Sequence, residues 1–158
     1  MNFKETEEQS SVRELVRSFA EKEIRPGVAQ RERSSEFPAE ICTRLGELGL
    51  MGMMVAPEYE GAGLDALSYA IAVEEIARVC ASTAVTLSVN NSVFCYPVAT
   101  FGTVEQKRSI LTETASGRAL GGYMLTEPQS GSDAANQKTR AVLKGDRYVL
   151  NGAKAWIT

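Results

Sequence analysis

The 158-residue sequence contains no histidine. That removes the commonest general base and the commonest metal ligand together, so proton chemistry within it falls to Glu, Asp, Lys, Tyr or Cys. Cysteine is scarce. Cys42, Cys80 and Cys95 lie far apart, form no CxxC pair and are odd in number. A complete disulfide framework is thereby excluded, a reducing compartment is implied, and each thiol reads as a small buried hydrophobe. No apolar run approaches the ~20 residues that a membrane-spanning helix needs. The acidic start MNFKETEEQSS lacks the apolar core of a signal peptide, so a cytoplasmic location is expected and no membrane partner. There is no basic excess either: the net charge is −3, which argues against nucleic acid as the main partner. A Walker-type loop, a GxGxxG after a strand, a metal-ligand cluster and a Ser–His–Asp set are all missing.

What is present is an ordinary globular composition, 44% hydrophobic and 23% charged, enough for one domain or for one domain and part of another. The first three quarters read as helical. Val12, Leu15, Val16, Phe19 and Ile24 recur near the 3.6 spacing over residues 6–25, and Pro26 is predicted to end that segment. Pro38 stands at a helix start, followed by Ile41, Leu45 and Leu48 on one face. Pro57 and Gly52, Gly61 and Gly63 mark residues 51–65 as a loop. Residues 66–80 and 82–101 form two further helical segments. The second is almost uncharged and carries Pro97, a predicted kink. Thr103 and Gln106 make a capping box for a helix reaching about Ala115, with Gly117 as its C-terminal cap.

After Arg118 the helical spacing gives way to short apolar runs. Residues 121–126 read as a strand. Arg140 to Leu143 and Tyr148 to Leu150 flank the hairpin turn Lys144-Gly-Asp-Arg147. Asn151-Gly152 is a second turn, and Lys154 to Thr158 is predicted to begin another strand. The expected class is α+β: an all-helical domain over 1–118, then over 119–158 the opening strands of a barrel- or sandwich-like β-domain. Three or so strands leave open edges and an uncovered face, so this second part is expected to be incomplete.

Several residue groups suit chemistry or binding. In YMLTEPQSGSD (123–133) the Thr126 hydroxyl and strand-end amides can bond the polar edge of a flat heterocycle. Ser130, Gly131 and Ser132 let a ligand approach the backbone and meet hydroxyl donors; an ordinary strand-to-loop transition is the plainer alternative. Trp156, with Ile157 and Thr158 after it, can wall off an aromatic ligand or simply fill a core. Glu74 and Glu75 point about 100° apart on a helix and are expected to be solvent-exposed or capping. Asn90, Asn91 and Ser92 lie in an apolar segment, where the amides either bond neighbouring backbone or line a pocket.

The order of these features is specific. PEYEGAGLD (57–65), SVNNS (88–92), FGTVEQK (101–107), YMLTEPQSGSD (123–133) and NGAKAWIT (151–158) together resemble the acyl-CoA dehydrogenase family along the whole chain, with short-chain, butyryl-type members most similar. The resemblance implies FAD as cofactor and formation of a 2,3-double bond in an acyl-CoA thioester. Tyr123, Met124, Leu125, Thr126, Gly131 and Ser132 would wrap the flavin, Thr126 at its pyrimidine edge. Trp156, Ile157 and Thr158 would form the other wall, with the Thr158 hydroxyl near N5. Ser132 would also touch the CoA portion, and Asn91 and Ser92 the acyl end. The family's base is a Glu in a C-terminal bundle that no residue here matches. No catalytic residue is therefore expected in this chain, and the 158 residues alone are expected to be inactive. An electron-transfer flavoprotein would take the electrons, and a homotetramer is the implied assembly. Two alternatives stay open: an oxygen-using flavoenzyme of the same fold, or a helical interaction module without flavin.

Overall fold

The computed structural model describes residues 4–158; residues 1–3, where the first domain was expected to begin, lie outside it. The chain divides into two compact units, one running to Gly121 and the other comprising Gly122–Thr158.

In the first unit α1 (Glu7–Phe19) opens on a capping box: the Gln9 amide donates to Thr6 Oγ1 at 3.2 Å and the Thr6 amide to Gln9 Oε1 at 3.0 Å, satisfying two of the donors that every helix start leaves over. Gln9 Nε2 reaches on to Asp65 Oδ2 at 3.0 Å. Asp65 in turn accepts from the Ser68 amide and caps α4 (Ala66–Ala77). Two helix starts are thus tied by one side-chain chain.

Pro26 does not end the first helix. The helical path runs through a π-turn (Ala20–Ile24) and a 3₁₀ turn (Arg25–Gly27) into α2 (Val28–Ser34). Pro26 stands in the first turn of the 3₁₀ stretch, where its missing N–H costs nothing. The chain turns only at Ser35, which takes a left-handed φ of 55°. After Pro38, α3 (Ala39–Glu47) follows as expected. The segment 51–65 is irregular, as expected, yet its front half is core: Met51, Met53 and Val55 are buried.

Next come α5 (Ala81–Ser88), a π-helical stretch (Val89–Cys95) and α6 (Tyr96–Phe101), so Pro97 falls where the π-stretch has ended rather than in a helix interior. The last helix starts at the predicted Thr103 capping box, with α7 (Val104–Gln106), a π-turn (Lys107–Leu111) and α8 (Thr112–Ala115). Gly117 then takes a φ of 76°. One apolar cluster joins Val16, Phe19, Ile24, Leu45, Met51, Met53, Ile76 and Leu87. A smaller one joins Val55, Cys95, Leu111 and Ala115. Cys42, Cys80 and Cys95 are all free thiols; Cys42 and Cys95 are buried and Cys80 is half-buried.

Glu75 overturns the expectation of exposure. Its side chain is 1% exposed and lies 2.5 Å from Arg13 Nη1, 2.9 Å from Arg17 Nη2 and 2.9 Å from Arg78 Nη1, whereas Glu74 stands largely in solvent. The carboxyl is held down at about 2, chiefly by the Arg17 hydrogen bonds and against the burial that pushes it up, because a carboxylate with cationic donors favours its charged form. The buried positions of α4 are Ser68, Ile71, Ala72, Glu75 and Ile76, a single helical stripe that includes Glu75 and leaves out Glu74.

In the second unit, β1 (Arg140–Lys144) and β2 (Arg147–Asn151) pair antiparallel from Arg140↔Asn151 to Lys144↔Arg147. The turn between them is the predicted one, with Gly145 at a φ of 66°. Both faces of this hairpin are exposed along its length. The other two predicted strands, 121–126 and 154–158, do not form among the described residues. A strand needs a ladder partner, and these segments share only one backbone–backbone hydrogen bond, Ala155 N to Thr126 O at 3.0 Å.

Candidate functional site

The two sequence segments singled out for flat-ligand binding lie side by side in the second unit. Their centre is Glu127, only 3% exposed. Its carboxylate accepts from the Lys138 amide at 2.7 Å, Gln129 Nε2 at 2.7 Å, the Thr139 amide at 3.0 Å and Lys154 Nζ at 2.9 Å. Hydrogen bonds from Thr139, Lys138 and Lys154 hold this carboxyl well below the usual carboxylate range, against its burial. A carboxylate so saturated with donors favours its charged form.

Lys154 also donates to the Leu125 carbonyl at 3.1 Å, which receives Gln137 Nε2 as well. The turn Glu127-Pro128-Gln129-Ser130 closes with reciprocal amide bonds of 3.0 Å between Glu127 and Ser130, and Ser130 Oγ donates to Asp133 O at 2.7 Å. The Lys154–Glu127 ion pair and two main-chain contacts, Lys154 Nζ to Leu125 O and Ala155 N to Thr126 O, therefore staple 125–133 to 154–155.

Around this polar knot the predicted ligand residues face outward. Trp156 is 93% exposed and Met124 63%. Tyr123, Ile157, Gly131, Ser132 and Thr158 are exposed too, while Leu125 and Thr126 are half-buried. A side chain built on Gly131 would meet nothing within 4 Å, so the backbone there is open to a ligand. Trp156 takes a left-handed φ of 58°, costing roughly 1–3 kcal/mol for a bulky residue, of the kind found at ligand clamps. Exposed aromatic and aliphatic groups beside free hydroxyls form the surface of a planar, partly polar ligand site.

Asn91 and Ser92 lie in the other unit, in the π-stretch. Asn91 is buried; its Oδ1 accepts from the Met53 amide at 2.8 Å and its Nδ2 donates to Leu50 O and Leu87 O at 2.9 and 3.0 Å. Asn90 likewise donates to Met51 O and Thr114 O and accepts from the Gly121 amide. Of the two readings of these amides, backbone bonding is the one found. Ser92 donates to Ser88 O at 2.7 Å and is half-buried. Sequence reasoning passed over Lys154 and Gln137. The only available signal was that a Lys and a Glu stand inside two motifs already suspected of meeting. Among the described residues no group of His, Cys, Asp and Glu could hold a metal, and no helix is long and apolar enough to cross a membrane.

Comparison with known proteins gives the following. Residues 6–118 match the N-terminal domain model of acyl-CoA dehydrogenases, and residues 122–158 match their middle domain. A probable acyl-CoA dehydrogenase of Bacillus subtilis is 49% identical over the whole chain, and the short-chain-specific acyl-CoA dehydrogenase of Clostridium acetobutylicum 46%. The chain spans 42% of the length of each. Among solved structures, butyryl-CoA dehydrogenase from Megasphaera elsdenii superimposes with a TM-score of 0.93 at 38% identity, over 99% of this chain and 42% of that one. An acyl-CoA dehydrogenase from Bacillus anthracis complexed with FAD gives 0.91 at 37% identity, over 97% of this chain and 27% of that one.

Proposed function

The chain belongs to the acyl-CoA dehydrogenase family, and on that premise we propose that it supplies flavin-binding walls for the α,β-dehydrogenation of a short-chain acyl-CoA. The observation that carries the reading is the stapling of 125–133 to 154–155 by Lys154, Glu127 and the Ala155–Thr126 bond. It sets two segments with exposed aromatic, aliphatic and hydroxyl groups next to each other. FAD fits these residues: Trp156 and Ile157 offer an apolar face, Tyr123, Met124 and Leu125 an apolar edge, and Thr126, Ser132 and Thr158 hydroxyls for its polar atoms. When bound, FAD supplies the hydride acceptor for the β-carbon. The chain's own part is to orient, to exclude water and to present donors where charge builds up.

Ser132 is the proposed contact to the CoA portion, and Ser92 the proposed contact to the acyl end. Asn91 serves there by holding the Leu50–Met53 backbone. The α-proton needs a base, which by family resemblance is a Glu of a C-terminal bundle that no residue here matches. Among the described residues Glu127 and Glu75 are the two buried carboxylates, and the donors around each favour its ionised form. The short-chain preference is supported by the relatives. Transfer of electrons to an electron-transfer flavoprotein and a homotetrameric assembly are carried by family resemblance, and a cytoplasmic setting by the acidic start without an apolar signal core.

The test is anaerobic addition of butyryl-CoA to the purified protein carrying, besides these 158 residues, the C-terminal bundle that supplies the family's base. Loss of the visible flavin absorbance, slow to return in air, is the expected result. A protein that never carries flavin overturns the reading, and rapid recolouring in air replaces the dehydrogenase with an oxygen-using enzyme.

A further inference from the structure

Lys154 is the one cation in the second unit that touches main chain inside the flavin-facing segment, and its partner is informative. The Leu125 carbonyl accepts two donors, Lys154 Nζ at 3.1 Å and Gln137 Nε2. The peptide that carries this carbonyl also carries the Thr126 N–H. Among the described residues every peptide is trans, so this planar unit sets the Thr126 N–H on the side opposite the carbonyl that receives the ammonium. Among the described residues no acceptor meets the Thr126 N–H, although the Thr126 carbonyl is engaged by Ala155.

We infer that Lys154 is a positioning residue that tunes the flavin through the Leu125–Thr126 peptide: its ammonium draws electron density to the Leu125 oxygen and so strengthens the Thr126 N–H as a donor to the polar edge of the ring. Hydrogen bonds in series polarise one another, and a cationic donor at one end of a peptide does so most. Glu127 holds the ammonium in place from the other side at 2.9 Å. The four donors on that carboxylate disperse its charge, so it anchors Lys154 without cancelling its pull on the carbonyl. A donor at the pyrimidine edge favours the electron-rich, reduced ring over the oxidised one. Lys154 therefore raises the reduction potential and tightens the hold on the reduced cofactor. The inference rests on the flavin reading above, and the experiment separates the two.

Lys154→Met keeps the side chain unbranched and one atom short of its length while removing its charge; Lys154→Arg restores charge. Trp156 is the only tryptophan, so variants are taken forward when their flavin-free Trp156 emission matches that of the unaltered chain. Bound-flavin potential is then measured by spectroelectrochemical titration, and FAD affinity by quenching of Trp156. The expected result for Lys154→Met is a lower potential and FAD binding weaker by roughly tenfold, the usual scale for a group that orients a ligand's partner, with most of both restored in Lys154→Arg. Equal potentials in Lys154→Met and the unaltered protein, with FAD bound to both, overturn the relay and leave the flavin reading standing. No FAD on the unaltered protein overturns the reading itself. If Lys154→Met does not pass the emission criterion or take up flavin, Gln137→Met is measured instead, since it removes the second donor and spares the ion pair. A smaller drop in potential supports the relay, and an unchanged potential overturns it.

Discussion

The two units are held together by opposite means. In the helical unit the wholly buried side chains include Val16, Ile24, Leu45, Met51, Met53, Ile76, Leu87 and Leu111, and removing such surface from water is the main favourable contribution to its stability. In Gly122–Thr158 the buried residues among those described are Glu127 and Ser130, both polar, while Tyr123, Met124, Leu143, Tyr148, Leu150 and Trp156 lie exposed. Each unit does have one buried carboxylate. Glu75 joins α1 to α4 on top of an existing core, whereas Glu127 takes the place of a core. A unit ordered by hydrogen bonds keeps its apolar groups free for something else, which is what a cofactor wall requires.

If this contrast is right, the largest single loss comes from the apolar core. Leu87→Ala removes a fully buried side chain and is expected to cost about 3 kcal/mol, read as a lowered urea midpoint of the helical circular-dichroism signal. Glu75→Gln comes next, at about 2 kcal/mol, because Arg17 and Arg78 are half-exposed and recover water once their partner is neutral. Its pH dependence has a definite sign. The folded-state value of about 2 lies below the ordinary 4.5, so the unfolded chain binds the proton more readily. The stabilisation is complete above the ordinary value and is lost as pH falls through the window between the two. Unfolding followed from about pH 6 to about pH 3 should show this loss, and Glu75→Gln should flatten it. An unchanged slope in the variant would place the acid sensitivity elsewhere.

Glu127→Gln probes the other side of the comparison. It leaves the fold of the helical unit alone but weakens the donors gathered from Lys138, Thr139 and Lys154. Amide exchange at Lys138 and Thr139 is expected to quicken by roughly tenfold or more, with a changed Trp156 emission. Protection that survives would mean that something other than the carboxylate orders this segment.

How far the sequence discloses all this follows the same division. Helices built on apolar spacing were legible: α1 from Val12, Val16 and Phe19, α3 from Pro38, and the last helix from the Thr103–Gln106 box. So was the β1–β2 turn, where Gly145 supplies the left-handed residue. Local chemistry decides these cases. The continuation past Pro26 was not legible, since a π-turn before a proline depends on what the preceding face packs against. Nor was Glu75, although counting i, i+3, i+4, i+7 from Ser68 puts it on the inner stripe and leaves Glu74 off it. In the candidate site the motif residues stood out by composition. Their joint by Lys154 and Glu127 spans 27 positions, and no spacing rule reaches that far.

The smallest effect is expected in the hairpin, and it is the sharpest check on the contrast. Leu143 and Tyr148 face each other across β1 and β2, yet they are 58% and 68% exposed. A directly opposed pair contributes roughly 0.2–1 kcal/mol, and there is no buried area behind it to add more. Leu143→Thr keeps a β-branched residue suited to a strand and gives up only part of the pair, so a change within about 0.5 kcal/mol is expected in thermal unfolding. A loss several times larger would mean that the hairpin buries this face against a surface, and that the second unit has an apolar core after all.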